Sequence, residues 1–239
     1  MSYVQVLFEN EKKSFKAIMI MFTFRLFMVI SFCSVVFLET AFSQTLIKVV
    51  DQNNDPLPDA VIEYVIPQPV INQSIDDRIY VMDQINKQFS PHVLVVPVNS
   101  QVSFPNKDDI RHHVYSFSLA KTFELKLYSG KPKSPVRFED KGLVVMGCNI
   151  HDAMVGYIYV SDENNAYLSD TNGEVLLTQP LALNTQLKIW HPNSTVGLTK
   201  HTLLTVDQKM IDNNEIFITI SVKAPQARGS FEELAFHEH

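Results

Sequence analysis

The sequence predicts an all-β protein with a Greek-key sandwich architecture. Short runs rich in Val, Ile, Phe and Tyr recur along the chain and are separated by turn-forming residues. Some of these runs alternate apolar and polar residues, as a strand with one buried face does. No stretch shows a sustained helical period.

The predicted strands are short and follow one another throughout the chain. They cover residues 46–50, 60–66, 122–127, 155–160, 186–190 and 215–222. The first two are joined by a turn from Asp51 to Pro56, in which Asn, Asp and Pro supply the turn chemistry that Gly often supplies. The alternation over 122–127 predicts that this strand has one buried face and one solvent-exposed face.

The first 43 residues have the pattern of a cleaved secretory signal. Basic residues precede an uncharged run over 26–38, which is shorter than the roughly 20 residues that a membrane-spanning helix needs. Ala41-Phe42-Ser43 then places small residues at the two positions that a signal peptidase reads. The alternative is an uncleaved anchor over 17–38, which would put Arg25 inside the membrane at considerable cost.

Charge and cysteine content exclude several classes of protein. The chain has 20 basic and 26 acidic residues, so it lacks the basic excess of a nucleic-acid-binding protein. Its two cysteines, Cys33 and Cys148, are too few for a disulfide-rich scaffold. Signal cleavage removes Cys33 and leaves Cys148 alone in an oxidising compartment. A lone thiol there is usually buried, catalytic or bound to metal.

A set of soft donor residues lies in two separate segments of the chain. The first contains His112 and His113, and the second contains Cys148, His151 and Met154 in the spacing Cys-x-x-His-x-x-Met. Thiolate, imidazole and thioether donors suit copper in a trigonal site with a weak axial Met. A short loop can bring the later three together, whereas the early His must come from a neighbouring strand. Strand alternation puts His112 and His113 on opposite faces, so only one can point inward.

These two segments resemble the ligand segments of the cupredoxins, the blue-copper proteins. The resemblance is carried by Phe-x-Asn-x-Asp over 104–108 and by Cys-x-x-His-x-x-Met over 148–154, followed by Gly-x-Ile-x-Val. The short spacing before Met is similar to an amicyanin-like loop, and the whole chain resembles periplasmic methylamine utilisation proteins. The resemblance implies a type 1 copper site. Its metal ligands would be His112, Cys148, His151 and axial Met154.

One departure from the cupredoxin pattern concerns the residue after the first ligand. Cupredoxins usually have Asn there, and its side chain ties the two ligand loops together. His113 occupies that position here, and its ring could replace the Asn side chain in that bond.

The residues on either side of this segment resemble the two halves of a transthyretin-like, carboxypeptidase-regulatory β-sandwich. The opening half has Asn54 where that pattern has Gly, and the closing half has Ser169-Asp170 in place of Thr-Asp. We therefore predict a cupredoxin-like sandwich inserted in a transthyretin-like one. The predicted parts are a signal peptide over 1–43, a transthyretin-like sandwich over 44–77 plus 163–223, a cupredoxin domain over 78–162, and a flexible tail over 224–239.

The leading functional hypothesis is a periplasmic electron carrier that holds copper and passes electrons to a redox partner protein through the exposed edge of His151. The alternative is a copper-handling or sensing module without redox turnover. We predict no enzymatic activity, because a Cys148–His151 nucleophile pair would lack oxyanion donors and an orienting acid. Zinc rarely uses a thioether ligand and is disfavoured. We interpret His191 as structural and the flanking sandwich as a docking element for a protein or a glycan.

Overall fold

The computed structural model describes Met19 and residues 44–65, 78–162, 164–177 and 180–223. All of these except Met19 belong to one compact unit, Ser43–His239. Apart from Met19, the predicted signal peptide lies outside the described residues, and so does the predicted tail over 224–239. Among the described residues, no helix has the length and apolar character needed to cross a bilayer.

The described part of the chain contains seventeen strands and one short helix, which confirms the all-β prediction. The elements are β1 Thr45–Val50, β2 Val61–Tyr64, β3 Ile79–Val81, β4 Asp83–Ile85, β5 Gln88–Ser90, β6 Val93–Pro97, β7 Ser100–Ser103, β8 His112–Ser118, β9 Lys121–Tyr128, β10 Val136–Phe138, β11 Gly142–Cys148, β12 His151–Ser161, β13 Ala166–Leu168, β14 Glu174–Leu177, β15 Gln186–Trp190, β16 Thr202–Thr205, α1 Gln208–Asn213 and β17 Glu215–Thr219.

The helix α1 was not expected from the sequence, because six residues are too few to show a helical period. Local capping explains where it begins and ends. The Asp207 carboxylate accepts a hydrogen bond from the Met210 N–H at 2.8 Å. Asn214 ends the helix in the left-handed conformation, and its N–H donates to the Ile211 carbonyl.

The strands between residues 79 and 161 pair only with one another in the described part of the chain. The largest sheet has five strands in the order β6-β12-β11-β8-β9, and a second sheet has the order β10-β7-β3. Strands β4 and β5 form a separate hairpin. Within the five-stranded sheet, β11 lies between β8 and β12, so it links the two segments that carry the predicted ligands.

The flanking strands form two sheets that each combine the start and the end of the described chain. Strand β1 lies between β14 and β17, and strand β2 lies between β13 and β15 with β16 beyond it. Asn54 adopts a left-handed conformation with φ of 67°, which explains how it replaces Gly in the turn after β1. The predicted domain boundaries and the transthyretin-like assignment remain predictions.

Three buried apolar clusters hold these sheets together. One lies inside the flanking sheets, around Ile47, Ile62 and Ile189, and a second lies inside the ligand-bearing sheets. The third, which we call the junction cluster, consists of Val61, Val93, Tyr159 and Trp190. Because Val93 and Tyr159 come from β6 and β12, the junction cluster packs the flanking strands β2 and β15 against the five-stranded sheet.

Candidate metal centre

Strand β8 carries His112 into the protein interior. Its inward positions, His112, Val114 and Ser116, are fully buried, while His113 and Tyr115 on the other face are only partly buried. This alternation follows from the two-residue period of a strand. The predicted opposite orientation of the two neighbouring histidines is therefore observed.

Strands β11 and β12 bring the second ligand segment into place. Cys148 is the last residue of β11, His151 is the first of β12, and the two are directly paired across a tight connection. The sequence predicted a loop carrying Cys148, His151 and Met154, but all three lie in strands. The register shifts after Gly147, which pairs with Val155, so the chain from His151 to Met154 forms a bulge in β12.

Three predicted ligands lie close together around one point. The Cys148 Sγ is 3.6 Å from Nδ1 of His112 and 3.8 Å from Nδ1 of His151. All three ligand atoms lie within 4.8 Å of one another. Metal bonds of about 2.3 Å to sulfur and about 2.0 Å to nitrogen, at a trigonal angle of about 120°, would separate sulfur from nitrogen by about 3.7 Å. The cluster therefore fits a metal ion bound by one thiolate and two imidazoles.

Met154 is 1% exposed and belongs to the same buried cluster as Cys148. Met154 follows the bulge residues Asp152 and Ala153 in β12. These two residues are exposed, whereas the Met154 side chain is buried. The thioether thus lies in the apolar interior. Its predicted role as an axial ligand remains a prediction.

His113 turns away from this cluster. Its Nε2 lies 2.8 Å from Oε1 of Glu124 on β9, on the outer face of the sheet. The two ligand segments are nevertheless tied together at this position, because the backbone N–H of Asn149 donates to the His113 carbonyl at 3.0 Å. The His113 ring therefore does not replace the Asn side chain of the cupredoxin pattern, and the tie between the segments is made by the backbone of His113 instead.

Asp108 was not among the residues predicted for the site, yet its carboxylate contacts the His112 ring. Its Oδ2 lies 2.8 Å from Nε2 of His112, on the side of the ring opposite Cys148. The backbone N–H groups of Asn86 and Lys87 donate to the same carboxylate at 2.6 and 2.9 Å. Burial by itself raises the pKa of Asp108. The hydrogen bonds from Lys87, His112 and Asn86 outweigh it, so the pKa of Asp108 is lowered overall.

The ionised Asp108 determines which nitrogen of His112 carries the proton. A carboxylate accepts hydrogen bonds only, so Nε2 of His112 must be the N–H donor. Nδ1 then presents its lone pair toward Cys148, as a metal-binding imidazole requires. A carboxylate four residues before a buried His was the sequence signal for this pair.

Asn106 fixes the loop that carries Asp108. Its side-chain amide donates to the carbonyls of Ile110 and Tyr128 at 2.8 and 3.0 Å, and its Oδ1 accepts from the Asp108 N–H at 3.0 Å. The nearby Tyr128 hydroxyl donates to the Phe104 carbonyl at 2.6 Å, and burial raises the pKa of Tyr128 to about 12. Asn106 and Tyr128 thus hold the segment that carries Asp108 through neutral hydrogen bonds.

His151 is only partly buried and is the member of the cluster nearest to solvent. Burial lowers the pKa of His151, and the nearby His112 and Lys87 lower it further against an opposing effect of Asp108. A lowered pKa favours the neutral ring, which can donate a nitrogen lone pair. Its centroid lies 5.0 Å from that of His112.

Comparisons with known proteins give partial likenesses. No protein-family model and no curated protein matches the chain. Among solved structures, a novel purple cupredoxin from Nitrosopumilus maritimus is 24% identical with a TM-score of 0.31, over 36% of this chain and 100% of that chain. A reduced amicyanin variant is 20% identical with a TM-score of 0.31, over 41% of this chain and 99% of that chain. A pseudoazurin from Sinorhizobium meliltoi is 21% identical with a TM-score of 0.28, over 36% of this chain and 76% of that chain.

Proposed function

We propose that this chain is a periplasmic copper-binding protein that carries electrons through a type 1 site. The observation that supports the proposal is the convergence of the Cys148 Sγ with Nδ1 of His112 and of His151. We assign these three as ligands, with Met154 as the weak axial donor. This donor set is the one that copper favours in electron-transfer sites.

The protein residues would make such a site rigid and dry. His112 is held between Cys148 and Asp108, and Cys148 is 3% exposed at the end of a strand with partners on both sides. A bound copper ion would supply one-electron oxidation and reduction. Ligands that are fixed by a sheet need little rearrangement when the charge of the site changes.

We propose that electrons enter and leave at His151, toward a redox partner protein. His151 is the least buried of the three clustered residues, and the adjacent Ile150 is 48% exposed. An exposed apolar residue beside the ring offers a surface that a partner could cover. We further propose that the chain reaches the periplasm by means of the predicted signal over 1–43 and has no enzymatic activity.

We also propose the inserted arrangement of domains, with residues 78–162 as the cupredoxin domain and residues 44–77 plus 163–223 as the transthyretin-like one. It is supported by the separate strand pairing in the two groups of sheets. The flanking sandwich would then serve docking, away from the copper ligands.

The test is the visible spectrum of the purified mature protein after addition of Cu(II). We expect an intense absorption band from the bond between copper and the Cys148 thiolate. Cys148→Ser and His112→Asn should each abolish the band and leave the protein folded by circular dichroism. His113→Asn is the matched variant one position along β8, and it should keep the intense colour, since its ring bonds Glu124.

A colourless wild-type protein that binds only Zn(II) would contradict the copper proposal. Loss of colour in His113→Asn and its retention in His112→Asn would reassign the first ligand. If the coloured protein gives no reversible one-electron wave in voltammetry and yields copper to a chelator within seconds, a copper-handling role replaces the electron carrier.

A further inference from the structure

The outer face of the sheet carries an aromatic layer directly behind the end of β11. The rings of His113 and Tyr115 lie with centroids 6.5 Å apart at 85°, and the rings of Tyr115 and Phe117 lie 5.1 Å apart. His113 is held by Glu124. Tyr115 is thereby supported on both sides along β8.

The Tyr115 ring lies close to Gly147, the residue that precedes Cys148. The two are paired in the ladder between β8 and β11. A Cβ atom added to Gly147 would lie 3.0 Å from the Tyr115 Oη and 3.1 Å from its Cζ. The backbone of Gly147 has no left-handed conformation that would explain the glycine. The absence of a side chain here therefore serves the close approach of the Tyr115 ring.

We propose that Tyr115 is a positioning residue for Cys148, an inference that rests on the proposed copper site. Gly147 and Cys148 are the last residues of β11 that pair with β8, followed by the bond from the Asn149 N–H to the His113 carbonyl, and the register with β12 shifts at this point. Strand ends next to a bulge open more readily than strand centres. The Tyr115 ring covers the outer side of this end, while the apolar core covers the inner side around Cys148. Cys148 is thus held from both faces of the sheet.

The first experiment measures the rate at which the metal-free protein reacts with a soluble aromatic disulfide at Cys148. It uses the protein without the predicted signal over 1–43, so that Cys33 is absent. We expect Tyr115→Ala to raise this rate by about tenfold, because it increases local opening at the end of β11. Tyr115→Phe keeps the ring and should react like the wild type. Phe217→Ala is the matched control, since Phe217 is also an aromatic strand residue, is 61% exposed and lies on β17, in a different sheet from β8 and β11.

The second experiment is a double-mutant cycle that includes the Cu(II) absorption band. Gly147→Ala should shift the band and lower the unfolding midpoint in the wild-type background, because the new methyl group displaces the ring. Both effects should shrink in the Tyr115→Ala background, where that ring is gone. This coupling is specific to the contact between the Tyr115 ring and the added methyl group.

The inference is overturned if Tyr115→Ala and Phe217→Ala react at equal rates, or if Gly147→Ala has the same effect with and without the Tyr115 ring. Failure of the copper proposal has a different signature. In that case the wild type shows no absorption band with Cu(II), while the thiol rates and unfolding midpoints still test the role of Tyr115.

Discussion

At the scale of single residues, the contact between Asp108 and His112 determines how the candidate site can work. The carboxylate receives two backbone N–H groups as well as the imidazole, so its position does not depend on His112. It fixes both the orientation of the ring and its tautomer. Loss of this carboxylate should leave His112 present but free to tilt.

We expect Asp108→Ala to weaken Cu(II) binding by about 10- to 100-fold, the usual effect of removing a carboxylate that orients a metal-binding His. Affinity is measured by competition with a chelator of known strength. Asp109→Ala is the control, because Asp109 is the adjacent, exposed acidic residue. Equal affinities in the two variants would show that Asp108 does not orient the ligand.

The sequence predicted the donor residues of the candidate site but not the residues that hold them in place. Spacing and donor chemistry pointed to Cys148, His151 and one inward His, and alternation separates His112 from His113. Asp108 was visible in the same segment, but a carboxylate four residues before a His has no fixed meaning until the loop between them is known. That loop depends on Asn106 and on contacts to distant Tyr128.

At the scale of secondary-structure elements, Ser169 fastens the connection between β13 and β14 to the turn before β2, through its backbone and through its hydroxyl group. The Oγ of Ser169 donates to the Leu57 carbonyl at 2.8 Å and accepts from the Ala60 N–H at 2.9 Å. Both bonds are buried and join residues more than a hundred positions apart. Removal of this oxygen leaves a backbone donor and a backbone acceptor without partners.

Ser169→Ala should therefore lower the free energy of unfolding by about 1–3 kcal/mol, the cost of unpaired buried polar groups. Urea titration followed by circular dichroism measures it. Thr171→Ala, in the exposed turn of the same connection, should change stability by less than about 0.5 kcal/mol. A similar small change in both variants would mean that water replaces the hydroxyl.

A second element-scale prediction concerns His191 at the end of β15. Its Nε2 donates to the Pro58 carbonyl at 3.2 Å, and its Nδ1 accepts from the Asn193 N–H at 3.2 Å. Burial lowers the pKa of His191, against smaller opposing effects of Pro58 and Asp59. The unfolded chain therefore binds this proton first as the pH falls below about 6.5, and the folded state loses stability there.

We expect His191→Gln to flatten the decrease in unfolding free energy between pH 7 and pH 5.5. One histidine contributes at most about 1.4 kcal/mol per pH unit to that slope. The measurement is a set of urea titrations across this range. An unchanged slope in the variant would assign the acid sensitivity to other groups.

Strand positions were more predictable than strand ends. The apolar runs located β1, β15 and most of β9, since burial of one face leaves a clear pattern. The start of β12 at His151 was predicted as a loop, because the bulge that exposes Asp152 and Ala153 hides the alternation. The ends of strands depend on partners that the local sequence does not specify.

At the scale of the whole molecule, the flanking sheets cover part of the ligand-bearing sheet. Trp190 and Val61 pack on Val93 and Tyr159 in the junction cluster. The Tyr159 hydroxyl also donates to Oε2 of Glu63 at 3.0 Å, so a buried hydrogen bond joins β12 to β2. The same strand that begins with His151 thus ends in the contact with the flanking sheets.

We expect a chain of residues 78–162 alone to fold and to bind Cu(II) with the colour of the full-length protein, because its described strands pair among themselves. Its melting temperature should be lower by at least about 5 °C, since the junction cluster would be exposed to water. Circular dichroism and the Cu(II) spectrum measure the two properties. An unfolded fragment would contradict the proposed inserted domain.

Trp190 gives the junction cluster an optical signal of its own. It is the one tryptophan of the chain, it is 1% exposed, and its indole N–H donates to the Leu198 carbonyl at 2.7 Å. Its fluorescence will therefore report the separation of the flanking sheets from β12. The colour of the copper-loaded protein would report on Cys148 at the other end of the same sheet. If the two signals change at one denaturant concentration, the sandwiches unfold as a single cooperative unit; two midpoints would reveal an intermediate in which the sheets have parted while the ligand segments stay folded.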